Sequence, residues 1–227
     1  MTCIYLANTN QVVPTDTHLQ WLSAAELQRL TRQATKGGRQ RFLASRLVLR
    51  AILANRLACN PAAVRFGLQP GGKPFIAHPA TGAIEFSLSH SGDWIALAIG
   101  EQPLGVDVEQ PQKTRDLLAI ARQYFHPEET AHLQQLQGGE RYAAFYRYWT
   151  LKEAFFKARG TGIAEGLALI CIHPEQLSAT LDPALGNARN WQLHYWAKPL
   201  PTADNCHLAL AAKAPQTEIE IRPFSLP

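Results

Sequence analysis

Leu104-Gly105-Val106-Asp107-Val108-Glu109 reads as an apolar strand that carries two acids. Asp107 and Glu109 stand two apart, so both leave the strand on one face. Carboxylates that close repel each other unless a cation or hydrogen-bond donors lie between them. A hard cation such as Mg²⁺ resolves the conflict, because it is commonly held by one or two carboxylates together with substrate phosphates. A solvated strand end would also suit the two acids, so the segment is read with its surroundings.

Two further apolar runs, Glu85–Ser89 and Trp94–Ile99, precede it, with Ser-Gly-Asp and Gly-Glu-Gln-Pro as punctuation. The links are too short for crossovers, which predicts an antiparallel meander of all three runs. Downstream, Glu140–Ala158 is the clearest helix, with Tyr142, Phe145, Trp149 and Phe156 on a broad apolar face. Within it Glu153 and Lys157 are i, i+4 and share a face, while Lys152 points about 100° away from Glu153. The pair suits a third metal-side carboxylate beside a phosphate-neutralising lysine, or an ordinary surface ion pair. Ser87-Leu-Ser-His-Ser-Gly92 reads as a hydroxyl-rich turn containing His90, able to donate hydrogen bonds to an anion.

Working outward, Cys3–Ala7 reads as a strand. Ser23 and Glu26 have capping-box spacing and open a helix over Ala24–Ala34, which Gly37-Gly38 breaks. Arg39–Leu57 follows as a long helix with Arg39, Arg46 and Arg50 on one face. Val64–Gly67 and Phe75–Ala77 flank the turn Pro70-Gly-Gly-Lys73-Pro74. Arg115–Tyr124 and Glu128–Leu136 read as helices. Short strands return at Leu167–Ile172, Trp191–Trp196, His207–Ala211 and Ile219–Arg222. This order predicts an α+β protein of two halves, residues 1–104 and 105–227.

The 227 residues suffice for a full core, and the hydrophobic fraction of 46% is that of a globular chain. No apolar run is long enough to span a membrane, and the start lacks the pattern of a signal peptide. Cys3, Cys59, Cys171 and Cys206 lie far apart without a C-x-x-C, which argues against a disulfide framework or zinc site and fits a reducing cytoplasm. The net charge of +4 hides a polarity. Ten Lys and Arg occur between Leu27 and Ile84, and no Asp or Glu does. A nucleic-acid binder would interleave aromatics with such a block. Between Arg29 and Lys73 the only aromatics are Phe42 and Phe66, both in apolar settings, so nucleic acid is not the expected partner. A serine hydrolase using Ser89 or Ser91 with His90 is a weaker reading, because no G-x-S-x-G elbow occurs.

Taken together and in order, these elements resemble the Sfp-type (surfactin-type) 4′-phosphopantetheinyl transferases. The family's G-[IV]-D-x-E matches Gly105-Val-Asp-Val-Glu109. Its W-[STA]-x-K-E-A-x-x-K matches Trp149-Thr-Leu-Lys-Glu-Ala-Phe-Phe-Lys157. Its S-H-S, G-K-P turn and arginine helix match Ser89-His90-Ser91, Gly72-Lys73-Pro74 and Arg46–Arg50. The likeness covers roughly Arg39–Ile163. It implies a monomer of two similar halves related by a pseudo-twofold, with the site between them. It implies transfer of the phosphopantetheine arm of coenzyme A to a serine of an apo acyl, polyketide or peptidyl carrier protein, with adenosine 3′,5′-bisphosphate released. On this resemblance Asp107, Glu109 and Glu153 are the metal residues for Mg²⁺, or Mn²⁺. Asp107, Glu153 and Lys157 are catalytic, and Arg46, Arg50, Lys73, Ser89, His90 and Lys157 bind coenzyme A. Arg50 is the best match for the arginine that grips the 3′-phosphate, with Arg39 and Arg41 behind it. The carrier is expected to be acidic, docking near the segment from Arg115 into Glu128–Leu136. A coenzyme A or nucleotide-binding module that has lost transfer is the alternative; the presence of all three carboxylates and Lys157 favours the enzyme.

Overall fold

Two helices of 22 residues, one in each half, set the architecture. The computed structural model describes residues 1–80, 82, 84–111, 115–162, 166–215 and 218–226; Ile163, where the resemblance ends, lies outside them. In chain order the first half contains β1 (Thr2–Asn8), α1 (Asp16–Leu19), α2 (Ala24–Thr31), α3 (Lys36–Leu57), β2 (Arg65–Leu68), β3 (Pro74–His78), β4 (Glu85–Ser91) and β5 (Trp94–Gly100). The second contains β6 (Leu104–Glu109), α4 (Leu117–Tyr124), α5 (Pro127–Gln135), α6 (Gly138–Arg159), β7 (Ile170–His173), β8 (Ser178–Leu181), β9 (Trp191–Ala197), β10 (His207–Lys213) and β11 (Ile219–Pro223).

Gly37-Gly38 does not interrupt the chain as expected. Thr35 caps α3 by accepting from the Gly38 amide, and both glycines lie in the first turn. Amides there have no partner within the helix, so a capping hydroxyl offsets the entropic cost of glycine. Leu167–Leu169, expected as strand, forms a 3-10 turn ahead of β7. Neither α1 nor β8 was anticipated; both are only four residues long, too short for a periodic signal.

The sheets run β11-β1-β5-β4 and β6-β10-β9. Each half repeats one plan: a first strand, helices, a two-stranded hairpin, then two strands of which the last inserts beside the first. The central pairings β1–β5, β5–β4, β6–β10 and β10–β9 are all antiparallel. β6 is the departure from the expected meander. It leaves β5 and pairs with β10 in the second sheet. β11 is the departure from the expected division at residue 104, because it crosses back to pair with β1 in parallel.

Strand alternation builds the layers. In β5, Ile95, Leu97 and Ile99 meet α3 residues such as Leu47, Val48, Ile52 and Leu53. Trp94, Ala96 and Ala98 face the other way, with Ile4 and Leu6, onto Leu104, Val106 and Val108 of β6 and Leu208, Leu210 and Ala212 of β10. On the far side Phe145, Leu151, Phe155 and Ala158 of α6 cover Ala209 and Ala211. The result is helix, sheet, sheet, helix, with each fully buried Leu, Ile or Phe contributing about 1.5–3 kcal/mol. Because β6 spends its even-numbered residues on the inter-sheet core, Gly105, Asp107 and Glu109 are left for the opposite face.

Candidate active site at the seam of the two halves

β4 and β6 are edge strands of different sheets, and side chains stitch them together. Ser87, Ser89 and Ser91 alternate along β4 and so share a face. Ser87 Oγ accepts from the Val106 amide at 3.0 Å. Ser89 Oγ donates to Asp107 Oδ1 at 2.8 Å, and Ser91 Oγ donates to Glu109 Oε2 at 2.6 Å. The expected anion-binding turn is therefore a strand, whose Ser89 and Ser91 hydroxyls orient the two carboxylates.

Gly105 brings α6 onto this strand. A β-carbon there would lie 2.2 Å from both the Ala154 carbonyl oxygen and the Ala158 nitrogen. That contact lets the stripe Trp149, Glu153, Lys157 overlook the acids, since residues four apart share a helix face. Lys157 Nζ sits 2.6 Å from Asp107 Oδ1 and donates to Ser89 Oγ at 2.9 Å. Trp149 Nε1 donates to Glu109 Oε1 at 3.2 Å, a polar task beyond the packing expected of it. The four-residue spacing to Glu153 was its sequence signal.

The charges do not balance. Burial, and then the Asp107 charge, push Glu153 up to about 7, with Lys157 opposing the shift. The same two causes raise Glu109. Asp107 Oδ2 is buried without a hydrogen-bond partner among the described residues. An orphaned carboxylate oxygen beside two carboxyls that resist ionisation is a donor set that fits a hard divalent cation. Asp107, Glu109 and Glu153 are thus coupled electrostatically, and Lys157 joins them through Asp107.

Next to the acids lies a cavity of about 300 Å³ lined by Arg46, Lys73, Phe86, Lys157 and the glycines of Gly71-Gly72 and Gly160. Gly71 must be glycine, since its β-carbon would fall 1.9 Å from the Gly160 carbonyl oxygen. Arg46 Nε is buried without a partner among the described residues, and its guanidinium stands over the Phe42 ring. Lys73 Nζ contacts Glu85 Oε2 at 2.9 Å, Leu104 O at 3.1 Å and Ala158 O at 3.4 Å, so it straps the two halves together while lining the cavity. His90 is exposed on β4, outside that lining. Desolvation and the charges of Lys157, Arg46 and Arg41 hold its imidazole below its ordinary pKa. Arg41, ranked low in sequence, therefore belongs to this positive field.

Arg50 is placed elsewhere. It is 2% exposed, and its Nε and Nη2 bond to Glu26 Oε2 at 3.0 and 2.6 Å while Nη1 donates to Pro61 O and Val64 O. Burial opposes ionisation of Glu26, yet Arg50 and Ser23 hold its carboxyl below the usual range. The expectation that Arg50 grips a phosphate is corrected: its donors are spent within the fold. Lys152 is similarly internal. It is 0% exposed, 2.7 Å from Glu129 Oε2, and donates to the carbonyls of Leu167 and Ile170.

Residues 13–102 match the family described as "4′-phosphopantetheinyl transferase, N-terminal", and residues 103–211 match "4′-phosphopantetheinyl transferase superfamily". Two family halves thus meet where the first sheet gives way to the second. The chain belongs to the Sfp-type 4′-phosphopantetheinyl transferases, the enzymes that make holo-carrier proteins. It is 33% identical over 84% of its length to a putative 4′-phosphopantetheinyl transferase of Synechocystis sp., covering 78% of that protein. It is 35% identical to HetI of Nostoc sp., again over 84% of this chain and 78% of the relative. Sfp of Bacillus subtilis is 30% identical over 64% of this chain and 63% of its own. Among the described residues, no helix is long and apolar enough to cross a membrane.

Proposed function

We propose that this enzyme moves the 4′-phosphopantetheine arm of coenzyme A to a serine of an apo acyl, polyketide or peptidyl carrier protein in an Mg²⁺-dependent reaction, Mn²⁺ serving as well. The observation that carries the reading is Lys157, which belongs to both the acidic cluster and the basic cavity. Coenzyme A has a diphosphate and a separate 3′-phosphate, and the site offers a corresponding pair of environments.

Asp107, Glu109 and Glu153 are the residues to hold the cation, which when bound offsets charge on the diphosphate and leaving phosphate. Lys157 takes a diphosphate oxygen, giving up part of its contact with Asp107. Arg46 and His90, with Arg41 at the edge, receive the 3′-phosphate and adenine side; the unpartnered Arg46 Nε supports this. Lys73 keeps the cavity wall in place and adds positive potential. Ser89 holds Asp107 and Lys157 in register.

The carrier serine oxygen bonds to the phosphorus bearing the pantetheine arm, while the bond to the adenosine-side phosphate breaks. Glu153 receives the serine proton, as the carboxylate of α6 that overlooks Asp107 and Lys157. Adenosine 3′,5′-bisphosphate leaves with the electron pair. An acidic carrier matches the acid-free basic block of the first half.

The test is intact-mass measurement of apo carriers of fatty-acid, polyketide and peptide type after incubation with the protein, coenzyme A and Mg²⁺. Gain of one phosphopantetheine mass that disappears on chelation is expected. No gain on any of the three carriers would overturn the reading.

A further inference from the structure

We propose that His126, Glu128 and Cys171 form a second metal site, suited to zinc, where the start of α5 meets β7. One donor atom from each of the three lies within 4.8 Å of the others. The widely spaced cysteines argued against zinc, but these donors come from the start of a helix and a strand 43 residues beyond Glu128. No spacing motif could display them.

The ligand-bearing backbones are fixed. His126 is the N-cap of α5 and Pro127 opens its first turn. Glu129 then ties the two elements together: its Oε2 accepts from the His126 amide at 3.0 Å, and its Oε1 accepts from the Ile172 amide at 2.8 Å. Ile172 follows Cys171 directly, so one buried carboxylate anchors a neighbour of each donor. Lys152 locks that carboxylate in turn. This fixes the backbone positions from which the donors project.

Cys171 is only 5% exposed, and its Sγ lies 3.7 Å from Glu128 Oε2. Burial, and then the charges of Glu129 and Glu128, push the thiol up to about 11, with Lys152 opposing the shift, and the thiol donates to Glu128 Oε2. A bound cation would take the place of that proton between sulfur and carboxylate. Beside the three donors is a cavity of about 250 Å³, also lined by Thr180 and Asp182, with room for an ion and a water. Tetrahedral zinc with bonds of about 2.0–2.3 Å sets its ligands about 3.5 Å apart, close to the 3.7 Å between Cys171 Sγ and Glu128 Oε2. Glu128 is exposed, so its carboxylate is free to adjust toward His126.

Imidazole, thiolate and carboxylate are the donors of a borderline-soft ion, whereas Mg²⁺ takes oxygen alone. The site is therefore chemically distinct from Asp107, Glu109 and Glu153. Through Glu129 and Lys152 its occupant would staple α5 and β7 to the helix that bears Glu153.

The experiment uses the full-length protein, stripped of metal, held in saturating Mg²⁺ and titrated with Co²⁺. A near-ultraviolet thiolate-to-cobalt charge-transfer band that saturates at one equivalent, and that Zn²⁺ abolishes, is expected. Cys171→Ser should erase the band, Glu128→Gln should weaken binding by about tenfold or more, and Asp107→Ala should leave it intact. Absence of the band in the unaltered protein would overturn the proposal. So would its persistence in Cys171→Ser, which would place the thiolate on another cysteine. If Cys171→Ser does not fold, unchanged affinity in Glu128→Gln refutes it equally. Carrier mass gain is read separately, so this site and the transferase reading fail independently.

Discussion

Lys157 and Asp107 are held at 2.6 Å only because Gly105, two residues before the aspartate, admits the backbone of α6. Helix backbone atoms cannot rotate away as a side chain would. Gly105→Ala must therefore push α6 off β6, carrying Glu153 and Lys157 from the acids. Overpacking of this kind costs about 1–3 kcal/mol. Carrier-modification rate should fall by more than a hundredfold while the protein still folds, as checked by turnover alongside denaturant unfolding. Near-normal turnover would show that the close approach is dispensable.

Lys152 and Glu153 are adjacent, yet the structure gives them opposite duties. Removing one member of a buried ion pair leaves an uncompensated charge, at about 3–5 kcal/mol. Lys152→Met should destabilise by that order and Glu129→Gln similarly. The double variant should recover part of the loss, because neither charge is then stranded. Urea unfolding of the four proteins closes the cycle, and simple additivity would contradict the pairing.

Much of this was legible in the sequence because it is local. The alternation of Leu104–Glu109 fixed which residues face the core, and the four-residue stripe of Trp149, Glu153 and Lys157 fixed which overlook the acids. The failures are non-local. Arg46 and Arg50 share a helix face, and periodicity cannot say that Glu26, from another helix, claims one of them. The hydroxyls of Ser89 and Ser91 read as anion donors because nothing in the sequence reveals that β6 lies beside β4. The short link after Gly100 suggested continued pairing, whereas the apolar side of β6 stacks on β5 across the inter-sheet core.

That distinction between the two arginines is measurable. Arg46→Ala should raise the KM for coenzyme A by about tenfold or more, and affect the 3′-dephospho form far less, since a charge-assisted phosphate contact is worth about 1.5–3 kcal/mol. Arg50→Ala should leave KM nearly unchanged in whatever fraction folds but lower stability by about 3–5 kcal/mol, because Glu26 is left buried and unpaired. Steady-state kinetics with both cofactor forms, together with thermal unfolding, separates the two. A selective KM effect at Arg50 instead would return the phosphate to that residue.

Glu153 makes the stability of the metal-free protein depend on pH in a defined direction. Its carboxyl is raised from 4.5 to about 7 in the fold, so between those values the folded chain holds a proton that the unfolded chain releases. Its contribution is then fully present below pH 4.5 and lost as pH rises through 7. His207 slopes the other way. Burial lowers its imidazole from 6.5 to about 4, so stability is present above 6.5 and lost as pH falls through 4. The two overlap, and only a difference between variants isolates Glu153. Glu153→Gln should match the parent near pH 4.5 and exceed it by on the order of 3 kcal/mol at pH 8, without metal. Adding Mg²⁺ at pH 8 should narrow or reverse the gap, because the cation relieves in the parent what glutamine removes in the variant. A gap that is flat with pH, or that Mg²⁺ leaves unchanged, would separate Glu153 from both the proton and the cation.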